Sequence, residues 1–159
     1  MDPLFKAKIL HYQYGSLPDR GCIRGKRQIE RILYRYAKRG KKFCAMKCDI
    51  KKAYPSTSTE LVMSLLRRDI HKNKSLLWLV ERIMSNYPNE KLLIGGYLPC
   101  WLFNYVMSYV LRYLMSHYKT RRGKKIWLIE KCVCYADDFI IFGTKTNLIK
   151  ALKLTKGWL

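Results

Sequence analysis

Two adjacent aspartates are the side chains of this sequence best suited to chemistry. Asp137 and Asp138 lie between residues 131–135 and 139–142, whose apolar and aromatic residues predict a tight β-hairpin with both carboxylates at its tip. Neighbouring negative charges repel, and apolar flanks lower the local dielectric, so the pair needs a counter-ion. Carboxylates with open coordination positions suit Mg²⁺, and Mn²⁺ is able to replace it. A solvated Asp-Asp turn is the alternative, because aspartate is common in turns.

A third carboxylate is expected to join this pair. Asp49 lies near the end of residues 43–50, whose alternating apolar pattern predicts a strand. If this strand pairs with the hairpin, three carboxylates meet at one sheet edge and can hold two divalent ions about 4 Å apart. One ion would lower the pKa of an attacking hydroxyl, and the other would stabilise a leaving pyrophosphate. A carboxylate that only caps a helix is the alternative reading of Asp49.

The charge of the chain indicates a polyanionic partner. Its 159 residues contain 32 Lys and Arg against 11 Asp and Glu, a net charge of +21. Such an excess favours nucleic acid first and an acidic membrane second. Residues 26–39 are predicted to form a basic helix with Arg27, Arg31 and Arg35. We expect this face to contact phosphates, although a solvated helix face has the same pattern.

Other kinds of site and location are disfavoured. The six cysteines and three histidines form no CxxC or similar ligand motif, so no zinc site is expected. Residues 1–10 contain Asp2, Lys6 and Lys8, so no secretory signal is expected, and reduced thiols fit a cytoplasmic protein. Residues 92–111 carry no charge and could span a bilayer by length. Their glycines, proline and polar residues favour a buried core segment instead, without a membrane.

The predicted elements give an α+β fold. Residues 14–25 are expected to form a loop, and Thr57 and Glu60 a capping box that opens a helix to about residue 70. The remaining predicted helices are 76–87, 99–118 and 147–154, and the remaining strands are 126–135 and 139–142. A strand separated from a hairpin by helices predicts an antiparallel sheet with helices on one face.

Three segments, in order, resemble the motifs of reverse transcriptases. Residues 135–138, Tyr-Ala-Asp-Asp, resemble the YxDD motif; residues 49–56, DIKKAYPS, resemble the first catalytic motif. Residues 94–104, IGGYLPCWLFN, resemble the intervening motif. The resemblance covers about residues 16–143 and implies a right-hand polymerase palm at residues 43–159, with a partial fingers region at residues 1–42. It implies RNA-templated addition of deoxynucleotides to a DNA primer.

The resemblance also implies roles for single residues. Asp49 and Asp137 would be the main metal ligands, with Asp138 and the Ile50 carbonyl completing the site, and all three aspartates would be catalytic. Tyr54 would be the steric gate that rejects a ribose 2′-OH.

Further contacts follow from the same resemblance. The residues expected to lie against the incoming nucleotide are Ile50, Ala53, Tyr54, Ile94, Gly95, Arg20, Arg24 and Lys26. The residues expected to lie against primer and template are Tyr135, Ala136 and Asn104.

Two departures from the family pattern affect these expectations. Ile94 precedes Gly95, as in the reverse transcriptases of diversity-generating retroelements, but Pro99-Cys100 stands where that branch has Ser-Gln. The sequence also stops at Leu159, where the family continues to a thumb, so a missing segment or a partner chain is expected to supply it. The alternatives are an inactive remnant that binds nucleic acid, a polymerase that makes RNA, and a structural basic protein.

Overall fold

The computed structural model describes residues 1–40 and 42–155, which form seven α-helices and five β-strands in an α+β arrangement. The helices are α1 (Asp2–Lys8), α2 (Cys22–Lys38), α3 (Ala53–Ser56), α4 (Thr59–Ile70), α5 (Lys74–Met84), α6 (Tyr97–Ser116) and α7 (Lys145–Thr155). The strands are β1 (Cys44–Cys48), β2 (Tyr118–Arg121), β3 (Lys124–Trp127), β4 (Lys131–Tyr135) and β5 (Asp138–Gly143). The predicted regions 1–42 and 43–159 include Lys41 and residues 156–159, which lie outside the described residues.

Within the described residues, one antiparallel sheet has the strand order β1-β5-β4. Cys48 pairs with Phe139 between β1 and β5, and Tyr135 pairs with Asp138 between β4 and β5. The predicted hairpin around the two aspartates is therefore confirmed, as is the strand before Asp49. β2 and β3 form a separate antiparallel hairpin between α6 and β4.

Helices cover both faces of this sheet. Cys132, Cys134, Phe139 and Ile141 belong to the main core with α6 and α7. On the other face, a smaller core joins Val133 and Phe142 to side chains of α2, namely Ile32 and Tyr36. The expectation of helices on one face is therefore wrong. Residues 139–142 are apolar without interruption, a pattern typical of a strand that is buried on both sides.

The long helix α6 lies at the centre of the main core. Twelve of its residues are buried, including Asn104 and Ser108. The expectation that residues 92–111 form a core segment is confirmed for this helix. None of the helices in the described part of the chain combines the length and hydropathy that a bilayer crossing needs.

Several element boundaries differ from the expected ones. Ser58, not Thr57, caps α4, because its hydroxyl accepts a hydrogen bond from the Leu61 amide at 3.1 Å. The strand expected over 126–135 is two strands, β3 and β4, which are interrupted at residues 128–130. The short helix α3 follows Lys52, which has a left-handed backbone at φ 52°. Residues 2–8 form α1, whose Phe5 ring stacks on Trp101 of α6 at 5.1 Å.

Candidate functional site

Strand register brings the three predicted carboxylates to one end of the main sheet. Asp49 directly follows Cys48, and Asp138 directly precedes Phe139, the residue with which Cys48 pairs. Asp137 lies in the turn between β4 and β5, next to Ala136, which has φ 55°. Asp49 and Asp138 are exposed, and Asp137 is half-buried. The three aspartates therefore lie at the ends of two adjacent strands, β1 and β5, and in the turn between β4 and β5.

Lys47 is the cation among these carboxylates. Its Nζ atom lies 3.0 Å from Oδ1 of Asp138, and the two side chains are 68% and 50% exposed. The hydrogen bond to Asp138 raises the pKa of Lys47, and the negative charges of Asp49 and Asp137 raise it further. Lys47 therefore stays positively charged and interacts electrostatically with all three carboxylates. Lys47 was not predicted as a site residue, although a residue two positions before Asp49 lies on the same strand face.

The donor set suits a hard cation by its chemistry. Carboxylate oxygens are the ligands that Mg²⁺ prefers, and Asp49, Asp137 and Asp138 supply them on a solvent-facing edge. In the residues that the structure describes, no three His, Cys, Asp or Glu side chains are gathered closely enough to form a metal site. One oxygen of Asp138, Oδ1, is engaged by the ion pair with Lys47.

A large apolar cavity adjoins Asp49. It has a volume of about 780 Å³ and extends between the sheet, α4, α6 and α7. Ile50 and Ala53 line it near Asp49, and Phe103 and Leu152 line it further inside. The predicted nucleotide-contacting residues Ile50 and Ala53 therefore lie together beside the first carboxylate.

Tyr54 is held against α6 close to the carboxylates. Its ring stacks on Phe103 with centroids 4.5 Å apart, and its hydroxyl donates to Sγ of Cys100 at 3.5 Å. Burial raises the pKa of Tyr54, the hydrogen bond to Cys100 raises it further, and the charge of Asp137 adds to the effect. Tyr54 is therefore a neutral, fixed aromatic side chain that lies near Asp137.

The thiols around the site are not nucleophiles. Burial raises the pKa of Cys134 to about 12, and the charges of Asp137 and Asp138 add to this shift. Burial also raises the pKa of Cys48. Since the thiolate is the reactive form, these cysteines stay protonated and inert at neutral pH. The charged side chains that this edge presents are therefore the three aspartates and Lys47.

The turn that carries Asp137 is supported by a segment near the N-terminus. The amide of Cys134 donates to the Tyr12 carbonyl at 2.8 Å, and the amide of Tyr14 donates to the Cys134 carbonyl at 2.8 Å. Gly15 then meets the turn itself: a Cβ atom added to it would lie 2.3 Å from the amide nitrogen of Ala136. This contact could not be predicted, because residues 14–25 have only the composition of a loop.

Asn104 holds this supporting segment. Its side chain is fully buried, and Nδ2 donates to the carbonyls of Gly15 and Cys100, each at 3.0 Å. Nε2 of Gln13 donates in turn to the Asn104 carbonyl at 2.8 Å. A fully buried amide does not reach a primer or a template. The expected contact of Asn104 with nucleic acid is therefore corrected to a positioning role behind the turn.

Of the predicted basic residues, Arg20 is held by backbone carbonyls, whereas Arg24 and Lys26 face solvent. Nη1 of Arg20 donates to the carbonyls of Leu10 and Gln13 at 2.6 and 2.8 Å, which fixes the loop before α2. Arg20 also lines a cavity of about 430 Å³ with other basic and polar side chains. These are His11, Tyr14, Arg24, Arg27, Gln28 and Arg31. Lys26 is exposed on α2 and, among the described residues, is not part of this lining.

This cavity, called the arginine cavity below, is connected to the turn that carries Asp137. Tyr14 lines the cavity and pairs through its backbone with Cys134, two residues before the turn. Arg24, Arg27 and Arg31 are exposed along one side of α2. A polyanion bound there would lie against the same segment that supports the carboxylates.

The remaining predicted contacts lie on exposed surface. Tyr135 is 46% exposed beside the turn, and Ala136 is half-buried within it. Ile94 is 76% exposed, and Gly95 adopts φ 92°, in the loop before α6. In the described part of the chain, neither Ile94 nor Gly95 lines the cavity at Asp49.

Comparison with known proteins adds no family: no protein-family model matches this chain, and no curated protein matches it.

Proposed function

We propose that this chain is the fingers and palm portion of a bacterial-type reverse transcriptase. The reaction would be the addition of deoxynucleotides to the 3′-OH of a DNA primer on an RNA template. The observation that carries the proposal is the pairing of β1 with β5, which brings Asp49 to the Asp137-Asp138 turn. The order of the three motifs in the sequence supports the same reaction, and the net charge of +21 suits a nucleic-acid partner.

The three carboxylates carry the chemical role. Asp49 and Asp137 would hold Mg²⁺, with Asp138 and the Ile50 carbonyl as further oxygen donors. Bound metal would supply Lewis acidity at the phosphate and at the primer hydroxyl. Lys47 would keep the carboxylates from repelling one another before substrate arrives, and its charge is available to a phosphate when Asp138 turns to the metal.

Aromatic and basic side chains would position the substrates. The fixed ring of Tyr54 near Asp137 supports its role as the steric gate against a ribose 2′-OH. Ala53 and Gly95 would let the nucleotide approach the backbone, with Ile94 beside it. Tyr135 and Ala136 would lie against the primer end.

The arginine cavity would hold the phosphates of the template or of the incoming nucleotide. Arg24 is its predicted member that faces solvent, and Arg27 and Arg31 join it along α2. Arg20 would act mainly by fixing the loop, because two backbone carbonyls already occupy its guanidinium.

Primer extension tests this proposal directly. Asp137→Asn removes one negative oxygen donor while keeping the shape of the side chain, so extension of oligo(dT) on poly(rA) with dTTP and Mg²⁺ is expected to fall about a hundredfold or more. Asp2→Asn, the same change in the first turn of α1, is the matched control and is expected to keep full extension. Equal extension by wild type and Asp137→Asn would contradict the metal-ligand role.

The ion pair between Lys47 and Asp138 favours a second candidate, an inactive remnant that binds nucleic acid. In this case the pair would be permanent and would replace the metal. The same assay separates the two candidates. Wild-type protein that is folded and binds primer–template, yet gives no extension at any Mg²⁺ or Mn²⁺ concentration, would favour the remnant.

A further inference from the structure

The β2–β3 hairpin is a basic and aromatic surface that the proposed reaction does not use. Its strands and turn contain Lys119, Arg121, Arg122, Lys124 and Lys125, and residues 117–129 contain no Asp or Glu. Thr120 and residues 121–127 are all exposed. Such a density of positive charge on an exposed hairpin is complementary to a polyanion.

Two exposed aromatic rings share one face of this hairpin. Tyr118 pairs directly with Trp127 across the strands, and their ring centroids lie 5.6 Å apart at 75°. The rings are 44% and 51% exposed. Nζ of Lys125 lies 4.6 Å from the centroid of the Tyr118 ring. Exposed rings beside cations are the combination on which bases of a single strand stack while their phosphates are neutralised.

Several features of the hairpin oppose its own stability. Arg121 and Lys124 are directly opposite each other in the ladder, where like charges repel. Arg122 adopts φ 49° in the turn before Gly123, a backbone conformation that favours Gly, Asn or Asp. An isolated two-stranded hairpin is only marginally stable. A bound polyanion would relieve the repulsion between Arg121 and Lys124, and polyanion binding would thus account for two basic residues at paired positions.

The hairpin is nevertheless anchored to the body of the protein. The Leu128 amide donates to the His117 carbonyl at 2.9 Å at the base of the hairpin, and Leu128 is fully buried. Nζ of Lys119 donates to Oδ1 of Asn147 in α7 at 2.8 Å. The surface is therefore held in place, with its charged tip directed away from the core.

The hairpin is separate from the carboxylate edge. It precedes Lys131, the first residue of β4, whereas the carboxylates follow Tyr135, the last residue of that strand. At about 3.3 Å per residue, the two ends of β4 are roughly 13 Å apart. A nucleic acid on the hairpin would thus contact the protein outside the proposed catalytic edge.

We propose that the β2–β3 hairpin binds single-stranded RNA through stacking on Trp127 and Tyr118 and through phosphate contacts from Arg121, Lys124 and Lys125. This binding does not require the proposed polymerase activity. It would add an attachment point for unpaired RNA at the end of the sheet opposite the carboxylates.

The test measures equilibrium binding in EDTA, where no polymerisation occurs, by fluorescence anisotropy of a labelled 20-nucleotide oligo(rA) and of a 20-base-pair RNA duplex. Trp127→Ala is expected to bind the single strand about tenfold more weakly and the duplex equally well. Trp127→Phe keeps a ring for stacking and is expected to bind nearly as tightly as wild type. Trp127→Ala with unchanged single-strand affinity would overturn the stacking role.

A charge variant tests the phosphate contacts. The triple change Arg121→Gln, Lys124→Gln and Lys125→Gln is expected to lower the slope of log affinity against log salt by about 2, since each lost contact removes about 0.7. The triple change Lys72→Gln, Lys74→Gln and Arg82→Gln removes the same charge from exposed positions around α5. An equal loss in both triple variants would show general attraction only and overturn the proposal.

The two proposals fail separately. Loss of binding in the hairpin variants, together with absent primer extension in wild type, would support the RNA surface and contradict the polymerase. Intact binding in the hairpin variants, together with primer extension that depends on Asp137, would support the polymerase and contradict the RNA surface. Circular dichroism of each variant establishes that the fold is retained, and a folded Trp127→Phe variant provides the reference if Trp127→Ala unfolds.

Discussion

Gly15 controls the position of the turn that carries Asp137, because nothing larger than a hydrogen atom fits between Gly15 and Ala136. An added Cβ atom would lie 2.3 Å from the Ala136 amide nitrogen and 3.0 Å from the Tyr135 carbonyl carbon. Both are backbone atoms, which cannot turn aside as a flexible side chain would. Any larger residue must move residues 12–15 or the turn with its aspartates.

Gly15→Ala is therefore expected to destabilise the protein by roughly 2 kcal/mol and to lower primer extension more than the stability loss explains. Gly25→Ala is the matched control, because its added Cβ meets the Tyr14 side chain at an ordinary contact distance of 3.5 Å and lies inside α2, where alanine is favoured. Thermal unfolding and extension assays on both variants measure the effect. A Gly15→Ala protein as stable as Gly25→Ala would contradict the close contact.

Residue type and spacing were enough to predict that Asp49 and the Asp137-Asp138 turn lie at one end of a sheet, because the apolar runs beside them predict strands. Lys47, Gly15 and the buried state of Asn104 could not be predicted in the same way. Each depends on which backbone lies next to which, and that is decided by strand register and by the pairing of residues 12–14 with Cys134. The local amino-acid composition does not indicate that residues 12–14 pair with Cys134.

Helices α1, α4 and α6 are joined by a buried carboxylate. Asp69 accepts hydrogen bonds from the hydroxyls of Tyr105, at 2.7 Å, and Tyr109, and its Oδ1 lies 3.0 Å from Nζ of Lys8. Burial on its own raises the pKa of Asp69, but the hydrogen bonds from Tyr109, Tyr105 and Lys8 outweigh it and hold the pKa below its usual range. The ionised carboxylate thus stabilises the contact of three helices.

Asp69→Ala leaves both tyrosine hydroxyls and Lys8 without their acceptor and is expected to cost about 3 kcal/mol of unfolding free energy. Because the folded pKa is lowered, the contribution of Asp69 is complete above its usual value near 3.8 and is lost as the pH falls through the folded pKa. Urea unfolding at pH 7 and at pH 3 measures both effects. The variant and the wild type are expected to differ less at pH 3, and an unchanged difference would contradict the role of the charge.

The hairpin that carries Asp137 was predictable because two apolar runs flank an Asp-Asp turn, and α6 was predictable from its long apolar sequence. The β2–β3 hairpin was not, because residues 126–135 have a continuous strand-like composition across the break at residues 128–130. The position of α2 was also missed. The helical period predicts an apolar face with Ile32 and Tyr36, but it does not predict that this face packs against Val133 and Phe142 of the sheet.

The charge of the chain acts on the fold as well as on partners. A net charge of +21 on 159 residues makes the compact state repel itself. Acidic side chains of the protein itself offset little of this repulsion, since the described residues contain four close ion pairs, two of which share Asp69. The arginine cavity and the β2–β3 hairpin concentrate the excess on separate surfaces.

Raising NaCl from 20 to 300 mM shortens the range of these repulsions and is expected to increase stability by about 1 kcal/mol, or roughly 2–4 °C in Tm. Oligo(rA) at low salt is expected to raise Tm further, because it binds only the folded surface. Differential scanning fluorimetry with sucrose as a neutral co-solute control measures both effects. A Tm that falls as NaCl rises would contradict the self-repulsion.

The hydrogen bonds that join Tyr12 and Tyr14 to Cys134 also set an order of events during translation. About 120 residues separate the two partners, and at roughly 5–20 residues per second the ribosome needs on the order of 6–24 seconds to make the second after the first. Throughout this interval the early segment of the nascent chain has no β4 to pair with. The aspartate turn can therefore reach its supported form only once synthesis has passed residue 136, which couples maturation of the site to nearly complete emergence of the described chain.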